Sequence, residues 1–346
     1  MKKLFLLSGF LVLTFWAGAQ SSLSLTEGEP AFIYSLPKTE FCIQIETEKV
    51  TRTPGMFYRY SERYLATTNV ITEEKTSYRL KSILVKTRAI ADPNRTYTFG
   101  QTKNAQNSHI TVNSKGILCG LNIPYVKEPE NVPTETKLAD NNLKTNNLLP
   151  LGEEYMMAGS EAKLAEGAAK QIYRIRESRL GLLTADVERL PADGSSFTSM
   201  LDGLNKSEKE LTELFVGKTS TEIQIKTIYL APTVAGANQV LFRFSALRGL
   251  VASDDLSGAP YYITINPEKI TTVPADPKAK KEVAAFYTIQ PVSTLISIGD
   301  GINTVFSDQY FIPQFGVIVP VSDELFKQSK LKIQIDSQTG RLLSIE

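Results

Sequence analysis

Apolar positions recur at two different periods along this chain, and the period changes twice. From Ala31 to about Val126 the dominant period is two. In EFCIQIETEK, Phe41, Ile43 and Ile45 alternate with polar or small residues, as in a strand with one face buried. TSYRLKSILVKTRAI carries Lys and Arg on alternate positions and predicts a second, long strand. HITVNSKGILCGLN predicts a hairpin turning at Asn113-Ser114-Lys115-Gly116. One element breaks the pattern. After a Pro-Gly start, Phe57, Tyr60 and Tyr64 fall three and four apart, which predicts a short amphipathic helix. That spacing seats the aromatic stripe against the sheet, although tyrosines so grouped can also stack on sugars.

A polar connector follows, dotted with Pro129, Pro133 and Pro150 and poor in periodic hydrophobicity. The period then becomes helical. Ser160 is placed as an N-cap, and Leu164, Ala168, Ile172 and Ile175 form one apolar face. In IYRIRESRLGLL, a turn of about 100° per residue puts Arg176 and Arg179 on the same side and Arg174 on another. Three arginines close in sequence therefore do not surround one anion. They are expected to snorkel or to pair with Glu177 and its neighbours. After Pro191 a helix restarts, with Phe197, Met200, Leu201 and Leu204 on one face. Ser207 to Glu210 has capping-box spacing and predicts a further helix start, with Leu211, Leu214 and Phe215 buried and Gly217 ending the helix. RLPADGSS is then a bend between helices.

From Thr221 onwards period two returns, in short runs separated by Gly, Pro, Asn and Asp. The expected class is α+β, with two β-rich, mainly antiparallel, sandwich-like regions flanking a central helical segment. The corresponding division is a signal peptide at 1–19, a β-rich domain with one short helix at 20–130, a linker at 131–155, a helical segment at 156–218 and a second β-rich domain at 219–346. ITVNSKGILCGLN and IQIDSQTGRLLSIE close the two β-rich regions in the same manner, either as traces of a duplication or as two ordinary hairpins.

The N-terminus adds a destination. Lys2 and Lys3, the apolar run Leu4 to Trp16 and the small residues Ala17-Gly18-Ala19 have the form of a secretory signal, with cleavage expected after Ala19. No cysteine stands directly after that point, where Gln20 follows, so a lipid anchor is not expected. No second long apolar run predicts a transmembrane span. Loss of the two lysines takes the net charge from +1 to −1, and no basic block provides the field that nucleic acid requires. An extracytoplasmic address permits a bridge between Cys42 and Cys119, while their apolar contexts equally suit two small buried side chains.

Candidate chemistry is sparse. The single histidine, His109, sits in a polar stretch, and neither a nucleophile elbow nor a metal-ligand set accompanies it. Ser160 and Lys163 have S-x-x-K spacing, but Ser160 is explained as a cap, and GKTS at Gly217 lacks the glycine of a phosphate loop. Asp254 and Asp255 lie in a Gly- and Pro-bounded loop between strands. There, paired acids can hold calcium or act as acid and base, or simply be solvated. No catalytic, cofactor-binding or metal-ligating residue is assigned, and no cofactor is expected.

The strings YSLPKT, PGMFYRYSERYL, QIYRIRESRLGLLTADVERLPADG, LFRFSALRGLVASDDLSGAPYY and QFGVIVPV resemble a family of secreted bacterial proteins known as domain of unknown function 4831. The resemblance spans nearly the whole mature chain and implies export, with no activity, cofactor or site residue to carry over. The expected function is that of an exported, periplasmic or cell-surface envelope protein, non-enzymatic, binding a glycan or a protein partner. The alternative is a carboxylate-dependent glycoside hydrolase working around Asp254 and Asp255.

Overall fold

The computed structural model describes residues 31–100, 108–125, 153, 157, 159–186, 193–234, 236, 238–269, 284–327 and 331–346. The expected signal peptide, most of the expected connector and residues 187–192, where the bend between helices is expected, lie outside the described residues. The fold is α+β, with three mainly antiparallel sheets and a few helices.

Strand β1 (Ala31–Thr53) pairs nearly along its length with β2 (Lys75–Gly100) on one side and, from Phe41 to Thr53, with β5 (Lys218–Leu230) on the other. A second, five-stranded sheet contains β6 (Asn238–Ser245), β7 (Gly249–Val251), β8 (Ala259–Pro267), β9 (Ala284–Gly299) and β10 (Thr304–Ser322), in the order β10-β9-β8-β6-β7. The third joins β3 (Ile110–Val112) and β4 (Leu118–Leu121) to β11 (Ile333–Ile335) and β12 (Leu342–Ile345), in the order β12-β11-β4-β3. The two similar hairpins thus stand side by side, with β4 paired to β11. Strands from both β-rich stretches share two of the three sheets.

Strand β1 continues through Pro37, where its register with β2 shifts, and at about 3.3 Å per residue its 23 residues reach roughly 75 Å. It supplies side chains to two cores and ends at the third. Near its start, Tyr34 and Leu36 pack with Phe99, Leu118, Phe286, Ile289 and Ile333. The Tyr34 hydroxyl accepts the Tyr287 N–H at 2.8 Å, and burial raises its phenol well above the ordinary value. In the middle, Phe41, Ile43 and Ile45 close against Phe242, Ile263, Ile265, Ile296, Ile298 and Ile312 of the five-stranded sheet. This sandwich is the reason for the alternation in EFCIQIE, and each such burial stabilises by about 1.5–3 kcal/mol. Cys42 is buried on the other face of β1, and desolvation pushes its thiol up. No disulfide joins Cys42 to Cys119.

Beyond β1 lies the helical core. A 3-10 turn at Tyr58–Tyr60 runs into α1 (Ser61–Leu65), which packs with α2 (Glu161–Thr184) and α3 (Gly194–Val216). Phe57, Ala168, Ile172, Ile175, Leu211 and Phe215 are its buried centre, and the Phe57 and Phe215 rings lie 5.5 Å apart. Ser160 caps α2 by accepting the Lys163 N–H, as its position predicts. Asp193 caps α3 through the Ser196 N–H at 2.7 Å.

Two expectations are corrected here. No helix starts at Ser207, because α3 runs unbroken from Gly194 to Val216. Leu204 and Leu211 fall on one continuous apolar stripe, so tertiary burial favours a single helix over the capping box. The second correction concerns Arg176 and Arg179. They do share a side, but their partner is Glu208 on α3, not Glu177.

Candidate functional site

Where β1 ends, the first sheet meets the helices. The Phe57 N–H donates to Leu214 O at 2.6 Å and the Ile71 N–H to Val216 O at 2.9 Å. Chain direction reverses immediately after Val216, at Gly217, whose φ of +88° is a glycine conformation. A Cβ there would meet Thr53 O at 2.6 Å and Ile71 Cβ at 2.8 Å, so the corner is closed by the Thr53 backbone on one side and the Ile71 side chain on the other.

The corner leaves a groove of about 560 Å³. Its floor is a row across three strands, because Arg52 on β1 is the register partner of Lys75 on β2 and of Thr219 on β5. One wall is the segment Asn69–Glu73 and the other is Val216 and Gly217. Register partners lie about 4.5–5.5 Å apart at Cβ, and like charges so placed repel. Arg52, Lys75 and Glu73 are exposed, and none has an ion-pair partner among the described residues. The groove therefore presents two adjacent cations, a rim carboxylate and the hydrogen-bonding side chains of Asn69, Thr72 and Thr219. Chemically, such a set can take an anionic group flanked by hydroxyls.

A smaller hollow of about 260 Å³ lies at the rim of the five-stranded sheet, lined by Asn238, Tyr262, Thr264, Ser297, Asn303 and Thr304 among others. Its lining side chains carry no charge. The Asp300 carboxylate behind it accepts the N–H groups of Ile302 and Asn303 at 2.8 and 2.7 Å, which fixes the turn.

The residues singled out by sequence are dispersed. Asp254 and Asp255 lie between β7 and β8, as the flanking Gly and Pro predict, but Asp255 is occupied with its own loop. It accepts the Ser257 N–H at 2.9 Å and an Arg248 Nη1 hydrogen at 3.2 Å. The Ser257 groups, and then Arg248, hold its carboxyl below the usual carboxylate range. Arg243 clamps the same loop through Ser253 O and Gly258 O. A general acid for glycoside cleavage needs the opposite shift. His109 is exposed, and its backbone N–H donates to Asn122 Oδ1 at 2.8 Å. Among the described residues no group of three or more His, Cys, Asp or Glu could hold a metal ion. Sequence reasoning missed the groove. Its one local signal is Gly217, which was assigned only to ending a helix.

The fold and its open polar grooves define a mixed, mainly antiparallel α+β protein. The chain belongs to the family described as domain of unknown function (DUF4831), whose model matches residues 31–343. No curated protein and no solved structure matches it. No helix among the described residues is long and apolar enough to cross a membrane.

Proposed function

We propose that this is an exported envelope protein with a non-enzymatic binding role, and that its ligand is an acidic glycan held in the groove at Arg52 and Lys75. The observation that carries this is the Lys75-Arg52-Thr219 row, two neighbouring cations without ion-pair partners among the described residues, on the floor of a groove large enough for a sugar unit or two. A uronate carboxylate or sulfate fits the cations, and ring hydroxyls fit Asn69, Thr72 and Thr219. The basic and apolar start of the chain supports export, and the engagement of Asp255 within its loop favours binding over hydrolysis.

Calorimetric titration with an oligogalacturonate, beside a neutral dextran of equal length, tests the ligand. Binding is expected for the acidic chain only, weakening with salt, and Arg52→Gln with Lys75→Gln should cost about tenfold, or about 1.4 kcal/mol. Unchanged affinity in that double variant would overturn the site. New reducing ends that disappear with Asp254→Asn and Asp255→Asn would establish the hydrolase instead. Sequencing of envelope material should begin at Gln20, and an intact Met1 in the cytosol would refute export.

A further inference from the structure

Edge strands expose unpaired N–H and C=O groups, and proteins normally blunt them with proline, bulges or shortness. Most edges here follow that rule. Strands β3 and β7 have three residues each and β12 has four. Strand β10 is broken by Pro313 and Pro320 and by register shifts, and β2 by Pro93 and two shifts against β1.

Strand β5 is different. It has 13 residues and no proline, and its register with β1 runs without a shift from Phe41↔Leu230 to Thr53↔Lys218. Among the described residues it pairs with β1 alone. Ile225 is 47% and Tyr229 44% exposed, so the strand also carries apolar surface beside its free edge. Gln224 O accepts the Thr47 hydroxyl at 3.3 Å, which turns the Gln224 peptide groups toward β1. By strand alternation the N–H and C=O of Ile223 and Ile225 then face outward.

The sequence of this edge is complementary to itself. We infer that β5 is the self-association edge of the protein, pairing antiparallel with β5 of a second copy about a two-fold axis at Gln224, the midpoint of the strand. In that register every residue of β5 finds a partner. Ile223 faces Ile225 of the second copy, Thr221 faces Thr227, and Glu222 faces Lys226, each contact made twice. The two three-stranded sheets become one continuous sheet. Neighbouring registers lose the match: an axis at Ile223 or Ile225 sets a charge against Gln224, and one at Glu222 or Lys226 sets like charges together. Lys226 has no ion-pair partner among the described residues, and Glu222 has only Lys49 of its own chain, at 3.5 Å on an exposed surface.

Sedimentation velocity on the mature chain over a concentration series should show a monomer–dimer equilibrium. Glu222→Lys should weaken the dimer about tenfold or more, and Glu222→Lys with Lys226→Glu should restore it. Ile225→Pro removes an outward N–H without touching the β1 ladder and should also give monomer. In a Cys119→Ser background, Gln224→Cys should form a disulfide-linked dimer under mild oxidation, since only a residue on the axis faces its own copy, whereas Glu222→Cys should not. Circular dichroism confirms folding of each variant. A monomer at every concentration, or a dimer indifferent to Glu222→Lys and Ile225→Pro, overturns the inference. Equal crosslinking at 222 and 224 overturns the register.

Discussion

Arg176 Nε lies 2.7 Å from Glu208 Oε1, and Arg179 donates to the other oxygen of the same carboxylate. One acid on α3 thus gathers the two arginines that share a side of α2. Arg179 adds a bond to Asn205 Oδ1 at 3.1 Å. The arginine-rich stretch is a clamp between helices, and its anion is part of the protein. Arg174 is exposed and has no ion-pair partner among the described residues.

Glu208→Ala should therefore destabilise the protein by about 1 kcal/mol, the upper range for partly exposed pairs. Arg174→Ala should stay within about 0.5 kcal/mol of wild type. Thermal melts of both, with a double-mutant cycle for Arg176 and Glu208, measure the difference. Equal losses at Arg174 and Glu208 would contradict the clamp.

Ile172 and Phe215 are fully buried in the helical core. Truncating either to Ala should cost about 2–5 kcal/mol, from lost transfer energy plus the cavity left behind. By contrast the cap of α3 is Asp193, to which the Ser195 and Ser196 hydroxyls donate at 2.8 and 3.0 Å. Asp193→Ala should cost about 1 kcal/mol and Ser195→Ala less. Urea denaturation gives all four values, and a Ser195 loss exceeding that of Ile172 would invert the expected order.

Gly217→Ala combines a positive φ with a Cβ placed 2.6 Å from Thr53 O. The Thr53 carbonyl on one side and the branched Ile71 side chain on the other leave little room to yield, so the loss should reach roughly 2 kcal/mol or more. The same variant should narrow the groove beside it, weakening oligogalacturonate binding. A Gly217→Ala protein as stable as wild type would mean that the corner is loosely packed.

Alkaline pH should unfold the protein in a specific window. Burial, with Asp308 as a lesser contributor, pushes the Tyr310 phenol from 10.0 up to about 12. A folded-state value above the unfolded one contributes stability that is complete below pH 10 and lost as pH rises toward 12. Tyr34 shifts in the same direction and adds to the loss. Tyr310→Phe should flatten the fall, while lowering neutral stability because Val85 O loses its hydrogen bond. Denaturant midpoints across that window decide the matter, and parallel slopes for wild type and Tyr310→Phe would exclude this residue.

Much of the scaffold was legible because it depends on local periodicity. Period two in EFCIQIETEK, the Asn113–Gly116 turn and the face Ala168, Ile172 and Ile175 need only backbone geometry and one buried side, and all three stand where the pattern puts them. The Ser207 box misled because the same four residues serve equally well inside a continuous helix whose apolar stripe is already buried.

Sequence alone determined most of the strand and helix segments, the α+β class and the side shared by Arg176 and Arg179. Tertiary structure decided which strands become neighbours. Thr47 and Gln224 are 177 residues apart and meet across β1 and β5. Arg52, Lys75 and Thr219 form one row only because that pairing sets their register. Periodicity tells a residue which face it occupies, whereas register, set by packing between distant segments, tells it what lies opposite. The groove, the Glu208 clamp and the place of β5 at the edge of its sheet all belong to the second kind.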